Sequence, residues 1–139
     1  MFRMFFFILL SGIPIAAIDA QITGMWKVPD EHDGIVKSIV EIYEQDSKYY
    51  GRVAQVLDST KHTHCENCVG ELKDKPLTGM LILTGLTKTE NGGTDGMVLN
   101  PGSGKSYSCY IELESPDKLK LRGYVGIPTF GKTLYWTRL

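Results

Sequence analysis

The sequence predicts an all-β fold, a single antiparallel up-and-down β-barrel of about eight strands, and three observations carry that prediction. Past residue 20 the chain holds eight Val, seven Ile, eleven Thr and all seven Tyr, but one Ala, Ala54. That composition suits a pleated, half-buried surface and withholds the best helix former. Strand-like stretches alternate with turn signals at intervals of roughly ten residues. No helical crossover separates them, so sequential neighbours pair as a meander. Eight strands close naturally into a barrel, which removes aggregation-prone edges and leaves room for one small ligand. A flat β-sandwich is the alternative; short turns favour the barrel, because a Greek key needs a long crossing connection.

The first twenty residues stand apart. Met1–Ala20 hold 15 of the 59 hydrophobic residues, including four of the five Phe. Arg3 precedes an apolar stretch from Met4 to Leu10 that runs on past Ser11-Gly12 and Pro14 to Ala20, just before the polar Gln21. A positive start, a short apolar middle and a small residue at the end form the pattern of a cleaved secretory signal peptide. A membrane anchor fits less well, because a span needs ~20 mostly apolar residues and this run is broken by Gly12 and Pro14. No cysteine lies near the cleavage point to carry a lipid. The expectation is residues 1–20 as signal peptide, residues 21–139 as one barrel domain, an exported periplasmic or extracellular location, and no stable membrane span after processing.

Each element then follows in order. Ile22 to Val28 reads as the first strand, turned by Pro29 to Gly34 into a second strand, Ile35 to Glu44. Gln45-Asp46-Ser47 turns the chain into Tyr49 to Leu57, after which Asp58 to Val69 loses periodicity and forms the one long loop. Met80 to Leu86 is a mostly apolar strand. Asn91-Gly92-Gly93 and Asp95-Gly96 bracket a turn before a short strand, Met97 to Asn100, and Pro101 to Gly104 makes another tight connection. Tyr107, Cys109, Ile111 and Leu113 then fall on one face, opposite Ser106, Ser108, Tyr110 and Glu112. After the turn Ser115-Pro116-Asp117, Leu119 and Leu121 oppose Lys118, Lys120 and Arg122, which gives one dry and one wet face. Gly126 to Gly131 is the last turn and Lys132 to Leu139 the last strand.

Charge narrows the function classes. Fifteen basic residues balance sixteen acidic ones and the pI is near 6.3, which excludes a nucleic-acid binder working through massed Lys and Arg. No Gly-x-Ser-x-Gly elbow, phosphate-cradling loop or His-Glu-x-x-His helix is present, so no catalytic residue and no cofactor is expected.

Gly24-Met25-Trp26 on the first strand and Trp136-Thr137-Arg138 on the last resemble the signature of the calycin or lipocalin-like barrels. The resemblance implies that Trp26 and Arg138 seal the closed end, and an Arg plane on an indole face gains ~0.5–2 kcal/mol from cation–π attraction. Over nearly all of the chain past residue 20, a closer resemblance is to the uncharacterised bacterial secreted family known as domain of unknown function 2147. It rests on Glu41-Ile42-Tyr43, Tyr50-Gly51-Arg52-Val53, Pro76-Leu77-Thr78-Gly79-Met80, Asn100-Pro101, Gly104-Lys105-Ser106-Tyr107, Leu121-Arg122-Gly123-Tyr124 and Trp136-Thr137-Arg138. This chain departs from that pattern at Cys65 to Cys68 and at Tyr124, and the family carries no assigned function to transfer.

The one constellation with chemical potential is His62-Thr63-His64-Cys65-Glu66-Asn67-Cys68. In an exported chain a Cys65–Cys68 disulfide is the leading reading; so small a ring contributes roughly 2 kcal/mol and pins the loop rather than holding the fold. A zinc or copper site using His62, His64, Cys65 and Cys68 is the alternative, weakened because adjacent His64 and Cys65 do not easily ligate one ion. A redox-active Cys-x-x-Cys ranks third, since no helix N-terminus follows Cys65 to lower a thiol pKa. Cys109 reads as a small buried hydrophobe, or as a partner for one of the other two. Asp30-Glu31-His32-Asp33 lacks the spacing of a calcium loop and reads as a solvated hairpin. The seven Tyr read as barrel-wall aromatics that fill space, with a cavity lining as the sharper alternative.

The function expected from these readings is non-catalytic: an exported module that binds a small apolar or amphipathic molecule. The alternatives are an envelope interaction protein using the loop around Cys65, and a metal- or redox-related role for the His62–Cys68 loop.

Overall fold

The computed structural model describes residues 21–57 and 63–139. The expected signal peptide, residues 1–20, and His62 lie outside the described residues. Eight strands follow one another: β1 (Gly24–Pro29), β2 (Val36–Gln45), β3 (Lys48–Val56), β4 (Leu81–Lys88), β5 (Gly92–Asn100), β6 (Lys105–Ser115), β7 (Lys118–Tyr124) and β8 (Gly131–Arg138). Each pairs antiparallel with the next, and β8 returns to β1 through Trp26↔Arg138 and Lys27↔Thr137, so the sheet is a closed up-and-down barrel rather than a sandwich. The only helix among the described residues is a single 3₁₀ turn, Gly70–Leu72, in the β3–β4 connection.

The register follows from the sequence pattern. Cys109, Ile111, Leu119 and Leu121 are buried on one face of the β6–β7 ladder, where Ile111 pairs with Leu121, Leu113 with Leu119 and Cys109 with Gly123, while Tyr110, Lys120 and Arg122 point outward. The β2–β3 hairpin closes on Asp46 and Ser47, both in the left-handed region at φ 52° and 66°, the geometry that matches strand twist in a two-residue turn. Strand ends differ from those expected by about two residues at most sites, the usual fraying of such boundaries.

One element is different in kind. Gly92 to Gly96 is not a turn; β5 runs from Gly92 to Asn100 and the reversal is made by residues 89–91. The glycines serve close packing instead. A Cβ on Gly92 would overlap the Ile111 carbonyl, and one on Gly96 would come 2.6 Å from the Leu86 side chain. Between them β5 bulges, with Asp95 at φ 57° and the register slipping between Gly93 and Gly96.

The barrel core is built from Trp26, Val40, Ile42, Val53, Leu83, Leu86, Ile111, Leu119, Leu121 and Trp136, with Cys109 among them. The strict alternation of strand direction gives the barrel two different ends. Tight turns at 46–47, 89–91 and 116–117 close one; residues 30–35, 63–80, 101–104 and 125–130 frame the other.

Candidate ligand site at the open end of the barrel

The floor of the barrel is sealed. Trp26 is fully buried and its indole Nε1 donates to the Ile22 carbonyl at 2.8 Å. The Arg138 guanidinium lies 4.2 Å from the Trp26 ring centroid and donates to the carbonyls of Gln21, Thr23 and Pro116. A single cation thus covers the indole while tying the segment before β1 to the β6–β7 turn. Gly24 has φ 130°, and a Cβ there would sit 3.0 Å from Arg138 Nη1, which explains the glycine two residues before the tryptophan.

Above that floor the interior is apolar. Among the described residues no polar or charged side chain is buried. Cys109 carries the one free thiol, and burial pushes its pKa up to about 12, so it stays protonated at neutral pH. Toward the open end the lining loosens into half-buried residues: Val28, Val56 and Val98 pack on the core from this side, and Tyr107 and Leu134, which share the inward register of β6 and β8, are half-buried. Gly123 leaves space among them, since a Cβ there would meet Val98 Cγ1 at 3.7 Å and Tyr107 Cβ at 3.9 Å, ordinary contact distances.

The rim is more apolar than loops generally are. Val125, Ile127 and Phe130 are 66%, 55% and 69% exposed, all in the β7–β8 connection. Ile35, Leu57, Val69 and Leu72, on the other open-end connections, are exposed too. The β7–β8 loop holds its shape through backbone bonds from Val125 to Phe130, Ile127 to Val125 and Phe130 to Ile127, and Arg122 donates twice to the Pro128 carbonyl. Lys132 reaches Glu31 at 2.7 Å and ties this loop region to the β1–β2 connection.

The Cys65 segment flanks the same end. The Cys65 and Cys68 sulfurs are at bonding distance and their Cα atoms 5.3 Å apart; both residues are buried in a small second core with Leu77, Met80 and Leu99. Asn67 Nδ2 donates to the Gly102 carbonyl at 2.7 Å, and a Cβ on Gly104 would overlap the Asn67 carbonyl, so the segment docks on the β5–β6 turn. Backbone bonds Cys65 N to Lys75 O, Asp74 N to Cys65 O and Leu77 N to Thr63 O fold it back on itself.

The other sequence candidates separate. His64 is exposed, with Nδ1 2.8 Å from Thr63 Oγ1, and two sulfurs bonded to one another offer no thiolate to a metal. Among the described residues no three His, Cys, Asp or Glu side chains are grouped to share an ion. Asp30 Oδ1 accepts the His32 and Asp33 amides, bonds that hold its carboxyl below the usual range and make it a turn former. Cys109 lies in the barrel core, apart from the Cys65–Cys68 cluster. The tyrosines mostly clothe the outer wall: Tyr43 stacks on Tyr50 beneath Arg52, Tyr110 faces Tyr124, and Lys118 lies 4.4 Å from the Tyr135 ring centroid. The rim was missed in the sequence, although an uncharged turn carrying Val125, Ile127 and Phe130 was a signal.

No curated protein sequence matches the chain. Among solved structures it is similar to a protein from the human pathogen Helicobacter pylori described as belonging to the lipocalin family. The two share 23% sequence identity over 86% of this chain and 83% of that one, with a TM-score of 0.75. That likeness is one of fold, and it agrees with the closed eight-stranded barrel. Residues 24–138 match the family model described as an uncharacterised protein conserved in bacteria, and the chain belongs to that family, DUF2147.

Proposed function

We propose that the protein is a non-catalytic, exported binding module that takes a small apolar or amphipathic molecule through the open end of its barrel. The observation that carries this reading is the contrast between the two ends. One is stoppered by Trp26 and Arg138, whereas the other presents exposed Val125, Ile127 and Phe130 above a half-buried apolar lining. An interior without buried polar or charged side chains among the described residues, with Cys109 held as a neutral thiol, solvates a hydrocarbon well. Apolar groups on an outer loop are costly to leave in water and serve as a landing surface.

The test uses a variant that fills the opening without touching the floor. Gly123→Leu extends a side chain toward Val98 and Tyr107 from a position where a Cβ alone already makes ordinary contact with both. A dansyl-labelled undecanoic acid is expected to bind the unmodified protein with a blue-shifted emission that unlabelled fatty acid reverses. In Gly123→Leu its affinity is expected to fall roughly tenfold or more, with the fold retained by circular dichroism and overpacking costing roughly 1–3 kcal/mol. Equal binding by both proteins, or none by either, overturns the reading.

A second reading, an envelope interaction protein that engages a partner through the loop around Cys65 and its neighbours, draws on the same rim. Val69 and Leu72 lie within four residues of Cys68 and are exposed, so that loop adds its own apolar surface.

A further inference from the structure

The bulge in β5 has a consequence on the outside of the barrel. Beside it lies an open cleft of about 330 Å³ lined by Thr89, Asn91, Gly93, Thr94, Tyr110, Ile111 and Glu112. It sits near the closed end, away from the rim, where the β4–β5 turn curls past β6. The backbone makes it: Gly93 pairs with Ile111 and Gly96 with Cys109, so Thr94 and Asp95 together oppose Tyr110.

The cleft holds one aromatic ring, one amide, two hydroxyls and one carboxylate. Tyr110 points outward between the buried Cys109 and Ile111. Lys120 lies on the neighbouring strand with Nζ 5.6 Å from its ring centroid, and Tyr110 lines the cleft. Tyr124 continues the aromatic surface, its ring centroid 6.4 Å away. The Asn91 backbone carbonyl accepts the Leu113 amide, which fixes the turn against β6. Glu112 pairs in register with Lys120, so local charge is balanced.

We infer that this cleft is a carbohydrate site that takes a neutral hexose unit of a glycan, stacked on Tyr110 and hydrogen-bonded by Asn91, Glu112, Thr89 and Thr94. The chemistry selects that class. A pyranose offers an apolar C–H face for an aromatic platform and a ring of hydroxyls for an amide, a carboxylate and alcohols. A phosphate group would need the cationic cluster that the lining lacks, and an acyl chain would need a deeper apolar groove. The volume is at the low end of the ~300–1,000 Å³ typical of small-molecule sites, and the openness of the cleft implies weak, millimolar binding to each unit. This site is separate from the barrel opening and stands or falls without it.

Titration of the full chain, ¹⁵N-labelled, with cellohexaose and separately with fully N-acetylated chitohexaose tests the inference by amide shift mapping. Saturable shifts centred on Thr89, Asn91, Thr94, Tyr110 and Glu112 with either sugar support it. Tyr110→Ala is expected to weaken binding roughly tenfold while Tyr110→Phe, which keeps the platform, stays within about threefold. Gly123→Leu is expected to leave sugar binding unchanged. Because Tyr110 lies on the outer wall, a well-dispersed spectrum of Tyr110→Ala confirms its fold. No saturable shift at roughly 20 mM of either sugar, shifts confined to the rim, or full binding by folded Tyr110→Ala each overturn it.

Discussion

At the scale of single residues, the floor of the barrel depends on one side chain. Arg138 lies over Trp26 and satisfies three backbone carbonyls on two separate segments. Removing it uncovers the indole and leaves those carbonyls to water, so Arg138→Ala is expected to cost about 2–3 kcal/mol. For a domain of this size that lowers the melting temperature by roughly 8–15 °C in thermal denaturation. Arg138→Lys is expected to recover little, because an ammonium is neither planar nor able to fork toward several carbonyls. The pairing was implied in the sequence by the resemblance of Gly24-Met25-Trp26 and Trp136-Thr137-Arg138 to the calycin signature. The rim was not, because Val125, Ile127 and Phe130 have no periodicity and each looks like an unremarkable turn residue until the strands bring all the open-end loops together.

At the scale of elements, alternation told strands from turns wherever one face is dry. It succeeded for β6 and β7, where Cys109, Ile111, Leu119 and Leu121 are all buried. It failed at the start of β5, since Gly92, Gly93 and Gly96 have no side chains to alternate and look the same whether they turn a chain or let two strands crowd. The β3–β4 connection was legible only as far as its cysteines; its fold rests on backbone bonds and on Asn67 reaching the β5–β6 turn, which no spacing rule foresees. Because the Cys65–Cys68 ring closes so few residues, the double change Cys65→Ser, Cys68→Ser is expected to cost about 2 kcal/mol. The loss should be local. Hydrogen exchange is expected to quicken at Cys65, Asp74 and Leu77 amides while β6 and β7 keep their protection; a collapse of protection throughout the barrel would show that the loop is integral to the fold.

For the whole molecule, the two readings of the open end differ in what the exposed residues do. If the rim only guides a small molecule inward, the bound state lies among Val28, Val56, Val98, Tyr107 and Leu134, and the outer loop takes part in the passage but little in the final complex. If the rim is itself the contact surface, the bound state lies on Ile127 and Phe130. The double change Ile127→Ser, Phe130→Ser separates them, because both side chains are exposed and their loss should alter stability by no more than about 0.5 kcal/mol. Under the small-molecule reading, equilibrium affinity for the dansyl fatty acid stays within about threefold of the unmodified protein and stopped-flow association slows, since the barrier changes more than the complex. Under the contact-surface reading the interior is incidental. Gly123→Leu then leaves partner binding untouched, whereas the rim variant abolishes it, as loss of central apolar anchors does at protein interfaces. Measuring both variants against the fatty acid therefore assigns the opening: a lesion by Gly123→Leu alone places the ligand inside, and a lesion by the rim variant alone places it on the loops.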